Sequence, residues 1–254
     1  MNQQTTIMRE KRKDIHTEGV PVVCIACEAR HKGVCGALNP EQLTYLSNHT
    51  TKHVYTSQEE LIRAGEDATQ YSNILSGVVK LTKLLADGRQ QIVGLQFAPD
   101  FLGRPFKRSN DTAAEAATDV RVCSFPRTVL EELIETAPGL EHRLHEQALD
   151  ELDEARDWLL ALGRKNASEK VSAFLYMIAC NIDPEALNES SNRTIEFELP
   201  LKRAEIADFL GLTIETVSRQ ITKLRKAQII ELINNRTLRV VSLRGLRASA
   251  EQET

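Results

Sequence analysis

The chain has 254 residues, 41% of them hydrophobic, a formal net charge of −4 and five cysteines. Its longest apolar runs fall far short of the roughly 20 residues a membrane helix needs, and the charged stretch from Met8 to Asp14, with no apolar region after it, does not make a signal peptide. A cytoplasmic protein is therefore expected, in which close cysteines read as a metal or redox site, and an odd cysteine count does not suit a paired disulfide framework either.

Met1 to Val20 is polar and aperiodic and is expected to be mobile. Cys24, Cys27 and Cys35 follow in one short run. Asn39-Pro40-Glu41-Gln42 has the form of a helix start, with Asn39 as N-cap, Pro40 in the first position and Gln42 in the third. From about His53 to Pro126 the pattern changes to short strands and turns. Residues 78–85 and 91–95 flank Asp87-Gly88, a hairpin signal, while Gly65, Gly77, Gly94 and Gly103 punctuate the rest. Several short strands at this spacing predict a small β-roll or barrel.

Pro138-Gly139 opens a long helix. Leu144, Ala148, Leu152, Ala155, Leu159 and Leu162 recur at helical spacing as one apolar stripe. A stripe this long on a helix between two domains predicts a dimer seam; the alternative is packing onto the chain's own β-roll. Gly163 is expected to end this helix. A second helix is expected over residues 167–180, a polar loop over 183–193 and a strand over 195–199.

From Leu201 to Arg247 ten Lys and Arg face four acids, a local charge of +6 on an acidic body. There, residues 202–210 and 214–226 read as a helix-turn-helix, with Gly211-Leu212 as the turn and Thr213 as the second cap. Ala207, Leu212, Val217 and Ile221 fall at buried positions. The exposed face of the second helix would enter the major groove of double-stranded DNA. Arg219 suits guanine, Glu215 suits cytosine N4, and Ser218 suits a neighbouring base or phosphate. Thr222, Lys223, Arg225 and Lys226 would meet the backbone. Residues 229–232 and 237–241 predict a two-stranded wing. A helical pair used for protein contacts is the alternative, disfavoured by the coincidence of spacing, wing and charge.

The cysteines leave three chemistries open. Cys24, Cys27, His31 and Cys35 could form a zinc knuckle. The three thiolates could instead hold an iron–sulfur cluster with a fourth from Cys123 or Cys180. Cys24 and Cys27 could also switch through a disulfide. Cys180 stands on a helix, where a free cysteine commonly fills core. The chain has no phosphate-binding glycine loop and no convincing nucleophile–base pair, so an enzyme is not expected.

Glu215-Thr216-Val217-Ser218-Arg219, residues 61–66 and residues 74–81 together resemble the CRP/FNR family of bacterial regulators, and most of all its FNR-type oxygen sensors, over about residues 22–245. The resemblance implies an α+β fold: a cluster-binding segment (1–37), a cyclic-nucleotide-binding-like β-roll (38–136), a dimerisation helix (137–163) and a winged helix-turn-helix (164–254). It also implies one four-iron, four-sulfur cluster per chain on Cys24, Cys27, Cys35 and Cys123, and His31 as a mere loop residue. It further implies a homodimer that reads an inverted repeat of TTGAT half-sites and is released when oxygen destroys the cluster. Residues 86–91 resemble the family's RNA-polymerase-contacting hairpin. Two departures matter. Arg104 and Pro105 replace the features that would hold a cyclic nucleotide, so none is expected. Ala155 stands where the best-known members place an acid on the dimer stripe, which puts complete monomerisation in oxygen in doubt.

Overall fold

The computed structural model describes residues 19–184, 194–234 and 236–251. Most of the segment expected to be mobile and most of the loop expected over 183–193 lie outside the described residues. The cysteine run forms two single turns, α1 (Val22–Ile25) and α2 (Glu28–His31), and a 3₁₀ turn over Val34–Ala37. Gly33 lets this run fold tightly: a Cβ there would stand 3.0 Å from the carbonyl oxygens of both Ala29 and Pro99. α3 (Pro40–Asn48) starts as expected. Asn39 Oδ1 accepts from the Gln42 backbone at 2.9 Å, and Gln42 Oε1 accepts from the Asn39 backbone at 3.0 Å, satisfying two otherwise orphaned helix donors.

Eight strands follow: β1 (Thr51–Tyr55), β2 (Glu60–Ile62), β3 (Gln70–Ser76), β4 (Val78–Leu84), β5 (Gln90–Phe97), β6 (Phe101–Leu102), β7 (Ala113–Ala116) and β8 (Val120–Pro126). They make two antiparallel four-stranded sheets, ordered β1-β8-β3-β6 and β2-β7-β4-β5. Ile74, Val79, Leu102, Ala114, Ala116, Val120 and Val122 fill the space between them. This is the expected β-roll, with β4 and β5 joined across Asp87-Gly88.

α4 (Arg127–Thr136) leads into α5 (Pro138–Arg164). α5 runs through Gly163 and stops one residue later, a correction to the expected end. A glycine near a helix end costs only about 1 kcal/mol relative to alanine. The stop is set instead by Asn166, whose side chain accepts from Ser168 and Glu169 and so caps α6 (Ala167–Ile182), two residues longer than expected.

The apolar stripe of α5 is also redrawn. Leu144 and Leu162 lie five turns apart at the same azimuth, yet Leu144 is buried with Val34, Leu38 and Leu140 in the chain's own core. The cysteine segment covers α5 at that level and no longer does farther along. The exposed face comprises Ala148, Leu152, Ala155, Leu159 and Leu162, joined by Leu149 and Leu160, which the spacing argument missed. Leu159 is 71% exposed and Leu160 59%.

The C-terminal part comprises β9 (Ile195–Glu198), α7 (Arg203–Leu210), α8 (Ile214–Lys226), β10 (Ile230–Leu232), β11 (Thr237–Val240) and α9 (Leu243–Ala250). The wing has three strands, ordered β10-β11-β9, rather than the expected two. β9 comes from before the helix-turn-helix and pairs with β11 along its length. The core of this part is continuous with Val78, Ile92, Leu95 and Phe97 of the β-roll, so the two parts share apolar packing. Among the described residues no helix is long and apolar enough to cross a membrane.

Candidate functional site

Two arrangements carry chemistry. In the first, Gly211 ends α7 in the left-handed conformation at φ +62°, where glycine avoids the Cβ clash. Thr213 Oγ1 then accepts from the Thr216 backbone at 3.2 Å and starts α8. Val217, Ile221 and Leu224 are buried, while Glu215, Ser218, Arg219, Lys223, Arg225 and Lys226 are exposed on the outer face and Thr216 and Thr222 are half-exposed. Arg219 makes one long contact, Nη2 to Thr216 Oγ1 at 3.5 Å. The Thr222 hydroxyl donates to the Ser218 carbonyl at 2.9 Å. In the wing, Arg236 pairs with Glu198, and Arg239 with Glu196 and Glu231. Part of the local positive charge is thus neutralised away from α8.

α7, which supports α8, is fastened to the β-roll. Lys80 Nζ lies 2.5 Å from Glu205 Oε1 and 2.8 Å from Glu115 Oε1, with its side chain 8% exposed. Burial works against the charge of Lys80, but the bonds and charges of the two acids more than offset it and raise its pKa. The same pairing holds Glu205 below the usual carboxylate range despite its burial. Asp208 accepts from the Ile92 backbone at 3.3 Å through its side chain and from Gln91 Nε2 at 3.0 Å through its carbonyl. None of this was signalled beyond a lysine inside an apolar strand pattern.

The second arrangement is the cysteine centre. Cys123 on β8 stands opposite Asn73 on β3 and Lys52 on β1. The Asn73 amide donates to Cys35 Sγ at 3.3 Å, which brings the loop cysteine to the sheet cysteine. Burial pushes the Cys35 thiol up to about 12, with the charges of Cys123, Cys27 and Cys24 adding and the Asn73 bond opposing. Burial likewise raises Cys24, with Cys27 and Cys123 adding to it, and raises Cys123. Each of the four therefore lies within electrostatic reach of others in the set. Among the described residues no three His, Cys, Asp or Glu side chains stand close enough together to hold a metal ion as they lie. Four thiols with Lys52 beside them are nonetheless the donor chemistry a thiolate-bound iron–sulfur group needs. His31 Nε2 lies 3.0 Å from the Ile25 carbonyl. Cys180 is elsewhere, half-buried on α6 beside Tyr176.

The cysteine loop is tied to α5. Arg143 Nη2 donates to the Lys32 carbonyl at 2.6 Å, and Arg143 Nη1 to Glu146 at 3.0 Å. Farther along, α5 forms one wall of a cavity of about 510 Å³ whose other lining includes Phe101, Gly103, Arg104 and Lys107. Arg104 is paired with Asp111 at 2.6 Å.

Comparison with known proteins is consistent with both halves. Residues 169–249 match a Crp-like helix-turn-helix domain, and residues 52–137 a cyclic nucleotide-binding domain. A probable transcriptional activator of Rhizobium leguminosarum bv. viciae is 52% identical over 225 residues, covering 89% of this chain and 92% of that protein. The chain belongs to the CRP/FNR family of transcription regulators. Within this family, the transcriptional activator protein FnrL of Cereibacter sphaeroides is 38% identical, covering 91% and 93% of the two chains. The structure of FixK2 from Bradyrhizobium japonicum superposes with a TM-score of 0.69 at 30% identity, covering 81% of this chain and 99% of that one. α7 and α8 thus lie in the Crp-like helix-turn-helix domain of a CRP/FNR regulator, and the family relatives are regulators rather than enzymes.

Proposed function

We propose that the chain is an oxygen-responsive transcriptional activator working in the cytoplasm, which carries one four-iron, four-sulfur cluster and binds a TTGAT inverted repeat as a homodimer. The observation that carries the reading is the convergence of Cys24, Cys27 and Cys35 with Cys123 from a strand some ninety residues away. Cys180 has no part in that group. When bound, the cluster supplies an oxygen-labile centre. The chain's own residues do the rest. The cysteine loop, which would supply three of the four thiolates, packs on the first turns of α5 through Leu140, Leu144 and Arg143. α5 then presents Leu152, Leu159 and Leu162 to a second copy, and two α8 helices face successive major grooves, about 34 Å apart. Without the cluster, the loop would be held to α5 by that packing alone, and the seam would weaken. One reader alone cannot hold the site against salt, whereas two linked ones gain from effective concentration. Glu215, Ser218 and Arg219 read bases; Thr222, Lys223, Arg225 and Lys226 hold phosphates. The exposed turn at residues 86–91, flanked by Leu84 and Leu85, contacts RNA polymerase. The replacement of the expected nucleotide-holding features by Arg104 and Pro105 supports a β-roll that serves as scaffold and takes no cyclic nucleotide.

The test is an anaerobic visible spectrum with iron and sulfide analysis of wild type, Cys123→Ser and Cys180→Ser. About four irons per chain are expected in wild type and Cys180→Ser, and none in Cys123→Ser. Colourless protein with one zinc overturns the reading in favour of a zinc knuckle. Retention of the cluster by Cys123→Ser overturns the ligand set.

A further inference from the structure

Asn73 lies in the middle of β3 and is 1% exposed. One half of its carboxamide is used: Nδ2 donates to Cys35 Sγ. The other half is not, because Oδ1 has no partner among the described residues. The neighbouring polar pair behaves differently. Ser72 and Ser124, also opposite one another on β3 and β8, satisfy each other at 2.7 Å. A buried polar atom without a partner lowers stability, and leucine, which keeps the branching at Cγ but carries no polar atom, would remove that penalty. What asparagine offers and leucine cannot is an N–H aimed at a cysteine sulfur. Directly opposed residues on antiparallel strands project from the same face, so the amide stands beside Cys123 while it reaches Cys35.

We propose that Asn73 is a positioning residue of the cysteine centre: its amide fixes Cys35 beside Cys123 and donates a hydrogen bond to that sulfur when the sulfur is a ligand. The proposal rests on the iron–sulfur reading above. A hydrogen bond to a ligand sulfur stabilises the more electron-rich state of the group and so raises its potential, and outer partners of ligands commonly tune such centres. Asn73 therefore protects the loaded protein from oxidation at some expense to the metal-free fold.

The test uses the full chain prepared without oxygen, as wild type, Asn73→Leu and Ser72→Ala. The readouts are iron content, midpoint potential, bleaching rate in air and the melting temperature of the metal-free protein. Asn73→Leu should load iron, show a lower potential and bleach several-fold faster, while its metal-free form melts at the same or a higher temperature. Ser72→Ala should do the reverse, melting lower because Ser124 loses its partner, with wild-type potential and bleaching. A role in packing alone predicts a lower melting temperature and an unchanged potential for Asn73→Leu, and that result overturns the proposal. Should Asn73→Leu fail to fold, Asn73→Ala removes the donor without adding volume or charge, and an unchanged potential there overturns the proposal equally. Wild type holding zinc in place of iron removes the parent reading itself, an outcome visible before any Asn73 variant is made.

Discussion

Arg143 donates to the carbonyl oxygen of Lys32 at 2.6 Å, so the helix that carries the exposed leucine face grips the cysteine loop by its backbone. The grip falls between Cys27 and Cys35, and Glu146 aligns the guanidinium from the next turn. Charge-assisted hydrogen bonds contribute about 1.5–3 kcal/mol when sheltered; with the Arg143 side chain 44% exposed, about 1 kcal/mol is the reasonable expectation after solvent screening. Arg143→Met should therefore barely move the melting temperature but speed amide hydrogen exchange across residues 28–38. Unchanged protection there would mean that apolar packing by Leu140 and Leu144 holds the loop unaided.

Lys80 fastens the helix-turn-helix to the β-roll. Removing one partner of a buried ion pair costs about 3–5 kcal/mol where the rest stays buried; Glu115 and Glu205 each keep a quarter of their side-chain exposure, so Lys80→Ala should fall at the low end. The raised pKa of Lys80 gives stability that is present below the ordinary lysine value and lost as pH rises through the folded value. The lowered pKa of Glu205 gives stability that is present above the ordinary carboxylate value and lost as pH falls through the folded one. Across the neutral range both contributions are whole. A denaturant titration of Lys80→Ala between pH 6 and 8 should show a constant deficit; a deficit that varies over that range would place the coupling on other groups.

The parts of this fold legible in the sequence are those set by near neighbours. The Asn39 and Thr213 caps, the Gly211 turn and the Asp87-Gly88 hairpin each depend on residues within a few positions, and each was expected where it stands. The contacts that couple the parts were invisible because their partners are remote. Asn73 and Cys35 are 38 residues apart, Arg143 and Lys32 are 111, and Lys80 and Glu205 are 125. Leu144 shows the limit of periodicity. It shares the azimuth of Leu162, yet one is core and the other surface, because burial along α5 depends on where the cysteine segment ends.

The inward face of α5 carries a second ionisable feature. Burial pushes Glu154 up to about 7, with the carboxylates of Asp100, Glu151 and Asp157 adding and a hydrogen bond from Trp158 opposing. An acid whose folded pKa is raised lowers stability as pH climbs from its ordinary value, 4.5, to about 7, and its effect is flat above. Glu154→Gln should melt higher than wild type at pH 8, and the gap should close as the pH falls below 6. A gap independent of pH would show that glutamine acts through packing.

Leu159 is the most exposed apolar side chain on α5 and the centre of the proposed seam. Leu159→Glu should leave the monomer fold intact, since that side chain touches little of its own chain, while abolishing dimers in sedimentation and DNA binding together. Ala155→Asp should weaken the cluster-free dimer and sharpen the response to oxygen. Full dimerisation of Leu159→Glu would move the seam off this face.

The face of α8 yields the most specific expectation. Arg219 is exposed and held by one contact at 3.5 Å, so its guanidinium is available to grip guanine O6 and N7. Arg219→Ala should lose about 1–3 kcal/mol at each half-site, concentrated at the guanine of TTGAT. Lys223, one turn along and also exposed, should act through phosphate alone. Lys223→Ala should weaken binding to all sequences alike and flatten the salt dependence by about one unit of slope for each phosphate no longer neutralised. Titration of the anaerobic protein against the palindrome and its single-base variants at two salt concentrations separates the two roles. An Arg219→Ala loss shared equally by every variant would make Arg219 a phosphate clamp, and a wild type indifferent between the palindrome and random DNA would remove the operator assignment.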